Sequence, residues 1–397
     1  MDSYVITITE IDEVEDALNM LRREMGRLGL PEKLKKNSFG VVSTHPDAIY
    51  SGVLKAVCDE LPFETAGFAS DSQSPNGETG IYLLSVMVLT SDTSNFSCGR
   101  IDDVSQHTEI EHITQNRYQG LALSLPTPAK LCLLYTPRKN NRYPGEYIDA
   151  ITAIDPDVSV FGAVSSDIED LIDGSQNGVF SVYNGEASNE GIVLVLISGD
   201  ISPRFYINSF TEDSVRLKDI GVITKCNKNI LIEIDNMPAL KFLEKTGFFG
   251  DVGGEISLGT ATATASFVLD YGTGRDVSRS FPDLAENDAI VCMGHLREGS
   301  KISIAICIPE TIVETTHEIV DKVKASGSKT AIFYSCLGRR LGLLNNPMAE
   351  FDVMRDKLKN INYIACHTGG EICPVMPNDG GKLINSEHNL TLIACVF

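Results

Sequence analysis

The sequence is short of positive charge. Lys and Arg number 33 against 54 Asp and Glu, giving a formal net charge of -21 and a pI near 4.7. Such a surface repels phosphate backbones and anionic lipid headgroups, so nucleic acid and acidic membranes are excluded as natural partners. Long hydrophobic runs are also missing. The longest, Ile81 to Leu89 and Gly191 to Ser198, fall far below the roughly 20 residues of a membrane helix, and they read as buried strands. Met1-Asp2-Ser3 leads into a short alternating run and an acidic helix, without the basic and apolar regions of a secretory leader, so a cytoplasmic setting is expected. The ten cysteines contain no C-x-x-C pair; several, Cys132, Cys307 and Cys395 among them, sit in apolar runs and read as small core side chains of a reducing compartment. Zinc has neither finger spacing nor H-E-x-x-H to hold it. Gly250 to Thr264 is rich in glycine, threonine and alanine, yet it lacks the P-loop and G-x-G-x-x-G spacings and reads as a crossover loop.

What is present is a repeated order of elements. A chain of 397 residues with 43% hydrophobic content can bury a large core in two or three units of about 150 residues. Near the N-terminus the pattern predicts strand (Tyr4 to Ile8), helix (Val14 to Met25), strand (Phe39 to Ser43), helix (Asp47 to Glu60), strand (Glu64 to Ala69) and a long strand (Gly80 to Thr90). The last hundred residues repeat it: strand (Ile302 to Ile308), helix (Glu310 to Ala325), strand (Thr330 to Ser335), helix (Ala349 to Lys359), and strands at Tyr363 to His367 and Leu390 to Val396. Pro309 suits the first turn of a helix and Gly327 its exit, while Ile312, Val313, Thr316, Ile319, Val320 and Val323 recur at helical spacing. A middle unit keeps strand (Lys130 to Tyr135), helix (Gly145 to Ile154), strand (Val158 to Val164) and strands near Gly178 to Tyr183 and Gly191 to Ile197. The fold class expected is therefore α/β (α+β): layered α/β sandwiches with mixed sheets, built from about three related βαββ modules. Between the second and third lies a hairpin over Gly221 to Ile234 and a helix from Pro238 to Thr246.

The modules align at their third strand. Ala66-Gly67-Phe68-Ala69-Ser70-Asp71 matches Phe161-Gly162-Ala163-Val164-Ser165-Ser166, and Ile364-Ala365-Cys366-His367-Thr368-Gly369 is the equivalent run. Each places a small residue three positions before a hydroxyl. Two readings stand: strand ends converging on a ligand, or tight packing with ordinary turn chemistry. In the last module, Cys336 precedes Gly338-Arg339-Arg340, where guanidinium groups would favour a thiolate. Catalysis would then need a histidine base such as His367. Arg339 is the stronger candidate, because a guanidinium at a glycine turn grips a carboxylate or phosphate in bidentate fashion. Glu371 either supplies the opposite charge for a zwitterion or pairs with Arg339 as a clasp between the two turns. Asn389 and Thr391 open the last strand, where an asparagine fixes a turn.

Three motifs in order resemble one family. Ser335-Cys336-Leu337-Gly338-Arg339, Gly370-Glu371-Ile372 and His388-Asn389-Leu390-Thr391 are similar to the closing signature of the FIST family, bacterial sensory proteins with a relative among eukaryotic F-box proteins. Asn229 to Leu240 resembles the strand, acidic turn and proline-alanine-leucine helix start where that family's halves meet. The resemblance places a FIST N-like domain of two modules at 1–215 and a FIST C-like domain, linker then third module, at 216–397. It implies a small-ligand-binding sensory protein of signal transduction without catalysis of its own, its ligand an amino acid or another small polar anion. It also implies a separate signalling partner such as a histidine kinase or cyclase, since no output segment is fused. The ligand contacts it implies are Ser335, Cys336, Arg339, Cys366, His367, Thr368, Gly370, Glu371, His388, Asn389 and Thr391, with Ser70 and Ser165 from the earlier modules. No cofactor is expected. Haem stays open because a haem-based gas sensor occurs in the family, although C-x-x-C-H is absent and His295, His367 and His388 show no distinguishing spacing. The chain departs from the family at Ala365-Cys366-His367-Thr368, where glycine and aromatics are usual, which implies a smaller, more polar pocket.

Overall fold

The computed structural model describes residues 1–137, 143–168, 177–210, 215–246, 265–270, 276–377 and 380–397. Three α/β modules carry the same strand order. In each, a central strand runs parallel to the next strand in sequence and antiparallel to the module's last strand, whose far side pairs with its first. The first module joins Asp2–Ile8, Leu84–Ser91, Asn37–Thr44 and Glu64–Ala69 in this way, and the second Ser94–Ile101, Ile192–Gly199, Ala129–Pro137 and Ser159–Ser165. The third joins Arg204–Asn208, Leu392–Val396, Thr330–Cys336 and Asn362–Thr368.

Alternation along these strands explains why three sheets pack together. Side chains two apart share a face, so Phe39, Val41 and Phe68 enter one core with Leu133, Tyr135 and Phe161 and with Ile332, Tyr334 and Ile364. The intervening residues meet helices: Val42, Val86 and Val88 face Val14–Leu28 and Val53–Glu60, while Phe333, Ala365 and Ala394 face Pro309–Ala325 and Ala349–Lys357. At the centre the Tyr135 and Tyr334 hydroxyls are 3.1 Å apart and Phe68 stands edge-on to Tyr334 with centroids 5.3 Å apart. One aromatic from each module thus closes the core.

The modules also exchange strand segments. Ser181–Tyr183, which follows the second module's third strand, pairs with Glu64–Ala69 of the first. Gly370–Ile372, from the third, pairs with Ser159–Ser165 of the second. The stretch after Ser70 completes the cycle on the third sheet, with Ser74 N donating to Ala365 O at 2.8 Å and Asn76 N to Tyr363 O at 3.0 Å. The third-strand edge of each sheet is therefore paired by a neighbour.

Several expected elements differ. Lys301–Ile306 does not open the third module; Ile302 and Ile304 pack into a separate core with Ile223, Leu231 and Phe267, in a sheet of its own that also contains Val215–Asn227, Ile230–Ile234 and Ala265–Asp270. Arg204–Asn208 is the true leading strand, and this β unit is inserted behind it. The helix expected over Asp47 to Glu60 splits into Pro46–Tyr50 and Val53–Glu60 at Gly52, whose φ is +81°. The long strand shortens to Leu84–Ser91: Gly80 bonds back to Gln73, and Leu83 O accepts from His45 N. The second module's own first strand, Ser94–Ile101, and helix Ile110–Leu123 were not anticipated. The expected crossover loop, Gly250 to Thr264, lies outside the described residues.

Gly67 and its counterpart Gly162 show what the small residue is for. A Cβ on Gly67 would lie 1.7 Å from Val42 O, and one on Gly162 1.9 Å from Leu134 O. Close backbone approach between parallel strands, and not a ligand, requires glycine there. Gly67→Ala is expected to cost about 3 kcal/mol or more, whereas Gly26→Ala, in helix Val14–Leu28 with open space around it, should gain roughly 0.5–1 kcal/mol. Denaturant melts of the two variants check the contrast, and equal effects would contradict it.

Candidate functional site

The three equivalent hydroxyl positions meet around the pseudo-threefold axis. Ser165 Oγ donates to Ala69 O at 2.7 Å, Ser70 Oγ donates to His367 O at 2.8 Å, and Gly369 N donates to Val164 O at 2.8 Å. Module two thereby bonds to one, one to three, and three to two. Ser70, Ser165 and Thr368 are all fully buried, and their hydroxyls are committed to the protein.

Beside this ring lies a sealed charge network. Strand Thr330–Cys336 ends in the short helix Leu337–Gly342, which turns Arg339 back beneath the helix Pro309–Ala325. Its Nη2 donates to Glu350 Oε1 at 2.7 Å, Ile312 O at 3.0 Å and Thr315 Oγ1 at 3.0 Å, and its Nε to Glu350 Oε1 at 3.1 Å. Thr316 and Ser335 hydroxyls donate to the two Glu350 oxygens at 2.7 and 2.6 Å. Burial would raise the Glu350 carboxyl, but the Arg339 charge and these hydrogen bonds hold it below its ordinary value. The clasp expected between Arg339 and Glu371 is thus replaced: the partner is Glu350, which presents its carboxylate from the first turn of the helix Ala349–Lys357.

His367 joins this network to the first module. Its Nδ1 is 2.8 Å from Ser72 Oγ, and Arg340 Nη1 donates to Asp71 and to Ser72. Nε2 lies 3.9 Å from Glu350 Oε2. The Ser72 hydroxyl also donates to Asp71 Oδ1 at 3.1 Å, and His367 Nε2 is buried without a hydrogen-bond partner among the described residues. Burial pushes His367 down to about 3, with Glu350 opposing, so the ring is neutral at physiological pH.

Glu371 is the odd charge. Thr368 Oγ1 donates to it at 2.6 Å, Thr391 Oγ1 at 2.7 Å and Thr391 N at 3.3 Å, yet burial outweighs these bonds and the charge of Arg339 and raises the carboxyl to about 8. Cys336, buried close by, is raised far above an ordinary thiol by burial first and by Glu371 second. No hydrogen bond joins its sulfur to a histidine among the described residues, so the alternative of a Cys336 nucleophile with His367 as base lacks both thiolate and base. Cys366 points into the shared core.

Gly370, Glu371, His388 and Asn389 reach a narrow cleft, whose walls also include Tyr143, Pro144, Met293 and Glu387. It lies where the edge of the second sheet meets the inserted β unit. Its free space of about 20 Å³ admits roughly one water. His388 sits in its wall with Nε2 3.0 Å from Cys373 O and is pushed down to about 3, chiefly by burial. Haem does not fit these residues: His388 Nε2 is held by Cys373 O at 3.0 Å beside a cleft with no room for a macrocycle, and His367 Nε2, though without a hydrogen-bond partner among the described residues, is sealed in the core 3.9 Å from Glu350 Oε2. No group of three His, Cys, Asp or Glu among the described residues is arranged to hold a metal ion.

Sequence reasoning missed Glu350, Thr315, Asp71, Ser72 and Glu387. Glu350 carried a readable signal, since it shares a helix face with Met354 and Leu358 and is the one carboxylate on that apolar stripe.

Three interlocked α/β modules with an inserted β unit define a multi-module α/β protein with a sealed polar centre and a cleft at a seam. The chain belongs to the FIST family: the FIST N domain matches residues 38–237 and the FIST C domain residues 240–374. FIST domains are sensory domains of signal transduction that bind small ligands. No curated protein matches the chain. Among the described residues no helix is long and apolar enough to cross a membrane.

Two measurements follow from this geometry. Breaking a buried ion pair from one side costs about 3–5 kcal/mol, so Arg339→Lys and Glu350→Gln should each lower the melting temperature of the ligand-free protein. A double-mutant cycle should give stronger coupling for 339 with 350 than for 339 with 371. The second concerns pH. Glu371 binds its proton more tightly folded than unfolded, so its contribution to stability falls as pH rises from about 4.5 to about 8. His367 and His388 are depressed, and their contribution is lost as pH falls below about 6.5. Between pH 6.5 and 8 the Glu371 slope stands alone among these three. Glu371→Gln should flatten the fall in melting temperature across that window; an unchanged slope would remove the assignment.

Proposed function

We propose that this protein is a cytoplasmic, non-catalytic sensor that binds a small polar molecule carrying an ammonium group, an amino acid being the fitting class, in the cleft between Gly369–Glu371, Glu387–Asn389 and Tyr143–Pro144. The observation that carries this reading is Glu371. It lines the cleft, and its surroundings leave its charge unsettled near neutral pH. A cation arriving there would draw off its proton and replace the missing counter-charge. The anion-binding role expected of Arg339 has less to support it, because that guanidinium is fully enclosed and its Nε and Nη2 are taken by Glu350 and the helix Pro309–Ala325, which leaves only Nη1 without a hydrogen-bond partner among the described residues.

A cleft with room for one water must widen to admit an amino acid. Binding and conformational change are then the same event, and a ligand shifts the protein only by its preference for the open state. The altered seam would be read by a separate signalling protein such as a histidine kinase or cyclase. Ten free thiols, nine of them buried, accord with a reducing cytoplasm.

A thermal-shift and native mass-spectrometry screen over amino acids, amines and organic acids tests the proposal. A ligand at 100 times its dissociation constant stabilises by about 2.7 kcal/mol. Because binding expels the Glu371 proton, affinity for the hit should rise about tenfold per pH unit up to about pH 8. Glu371→Gln should lose both affinity and pH dependence. A panel without a single shift would sink the reading.

A further inference from the structure

One wall of the cleft holds a carboxylate in a slot made by two separate units. Glu387 is buried; its Oε2 accepts from Gly145 N at 3.0 Å and its Oε1 from His295 N at 2.9 Å. Arg279 Nη2 stands 3.7 Å from Oε1, while Arg279 Nη1 donates to Glu387 O at 2.9 Å and its Nε to His295 O at 3.2 Å. Gly145 belongs to the second module, whereas Arg279 and His295 belong to the inserted unit. Shape as well as charge is specific. Gly294 has φ +126°, and a Cβ there would lie 2.7 Å from Glu387 Oε1 and 2.8 Å from Arg279 Nε; one on Gly145 would lie 3.0 Å from Oε1. Two aimed N–H groups, a guanidinium and two bare glycines are what recognition of a free carboxylate requires.

We propose that this slot is a carboxylate-binding site occupied in cis by Glu387, and that a ligand carboxylate enters by displacing the Glu387 side chain. The inference rests on the cleft being the ligand site and adds the group that recognises the other end of the ligand. With Glu387 in place the inserted unit is latched to the second module. Once the ligand's carboxylate takes the two N–H groups, Glu387 is free to leave and the cleft can widen.

A resident competitor lowers the apparent affinity of an incoming group by the fraction of time it occupies the site. Acetate is the probe, used on the full chain with chloride at equal ionic strength as reference, and affinity is read by calorimetric titration and melting. Glu387→Ala is expected to bind acetate at least tenfold more tightly than the wild type and to regain with acetate part of its lost melting temperature. Equal acetate affinity in the two proteins, or equal rescue by chloride, overturns the proposal. Should Glu387→Ala fail to fold, Glu387→Gln decides: its neutral amide should give an intermediate gain in acetate affinity, and an affinity unchanged from wild type overturns the proposal. Methylamine, titrated against wild type and Glu371→Gln, reports the cation end by itself. Loss of the acetate result with methylamine binding intact removes the slot and leaves the functional reading standing, and the converse removes the reading alone.

Discussion

In each of the three modules the open edge of the third strand is paired by a segment borrowed from another module, and this cyclic exchange governs the rest of the structure. A module alone would present the bare N–H and C=O groups of its third strand, at Glu64–Ala69, Ser159–Ser165 or Asn362–Thr368, a template for aggregation. Lending the residues after that strand to the next module satisfies all three at once. The cycle forces the third strands to end close together. That is why Ser70, Ser165 and Gly369 bond across modules and not outward.

Convergence of strand ends concentrates polar groups where water cannot reach. Buried donors and acceptors left without partners are costly, so most polar groups of the centre are paired, Arg339 with Glu350, Arg340 with Asp71 and His367 with Ser72, while Arg339 Nη1, Arg340 Nε and His367 Nε2 stay without a hydrogen-bond partner among the described residues. Replacing such pairs by apolar side chains can be neutral or even stabilising. Their advantage here is directional, since Arg340–Asp71 and Ser72–His367 each tie the first module to the third in a single register. Glu371, bonded by Thr368 and Thr391, has no such cation beside it among the described residues, and it lines the cleft.

The sequence made the modules legible because each sheet obeys strict alternation, and Phe39, Val41, Leu133 and Tyr334 face the core as that alternation demands. Of the residues in the turns it singled out, Ser335 and Arg339 bond to Glu350, and Thr368 and Thr391 to Glu371. Their partners were hidden for physical reasons. Pairing of Arg339 with Glu350 depends on the packing of helix on helix, which no spacing encodes. The exchanged segments are too short and irregular to carry a period, and Arg204–Asn208 is separated from its module by the whole inserted unit. Reading hydroxyls at strand ends as ligand contacts failed to weigh the bonds that modules make with one another.

A sensor needs a part that can move at low cost, and the interlock leaves few places for one. Opening the three-module core would uncover sheet edges, separate Tyr135 from Tyr334 and strand buried charges, each change costing a kcal/mol or more. The inserted β unit is tied differently. It carries its own core around Ile223, Phe267 and Phe281 and packs Val268 and Ala305 against Ile312, Cys336 and Leu343 of the third module, but it meets the second module at the cleft through the Glu387 carboxylate, the Asn229 to Tyr143 hydrogen bond at 2.9 Å and the pair of exposed Lys228 with Glu146. These are polar contacts that a ligand or water can replace one for one. The seam that holds the family's glycine-glutamate and histidine-asparagine turns is therefore also the seam at which motion disturbs least of the fold, which is where a binding signal has the greatest leverage on shape.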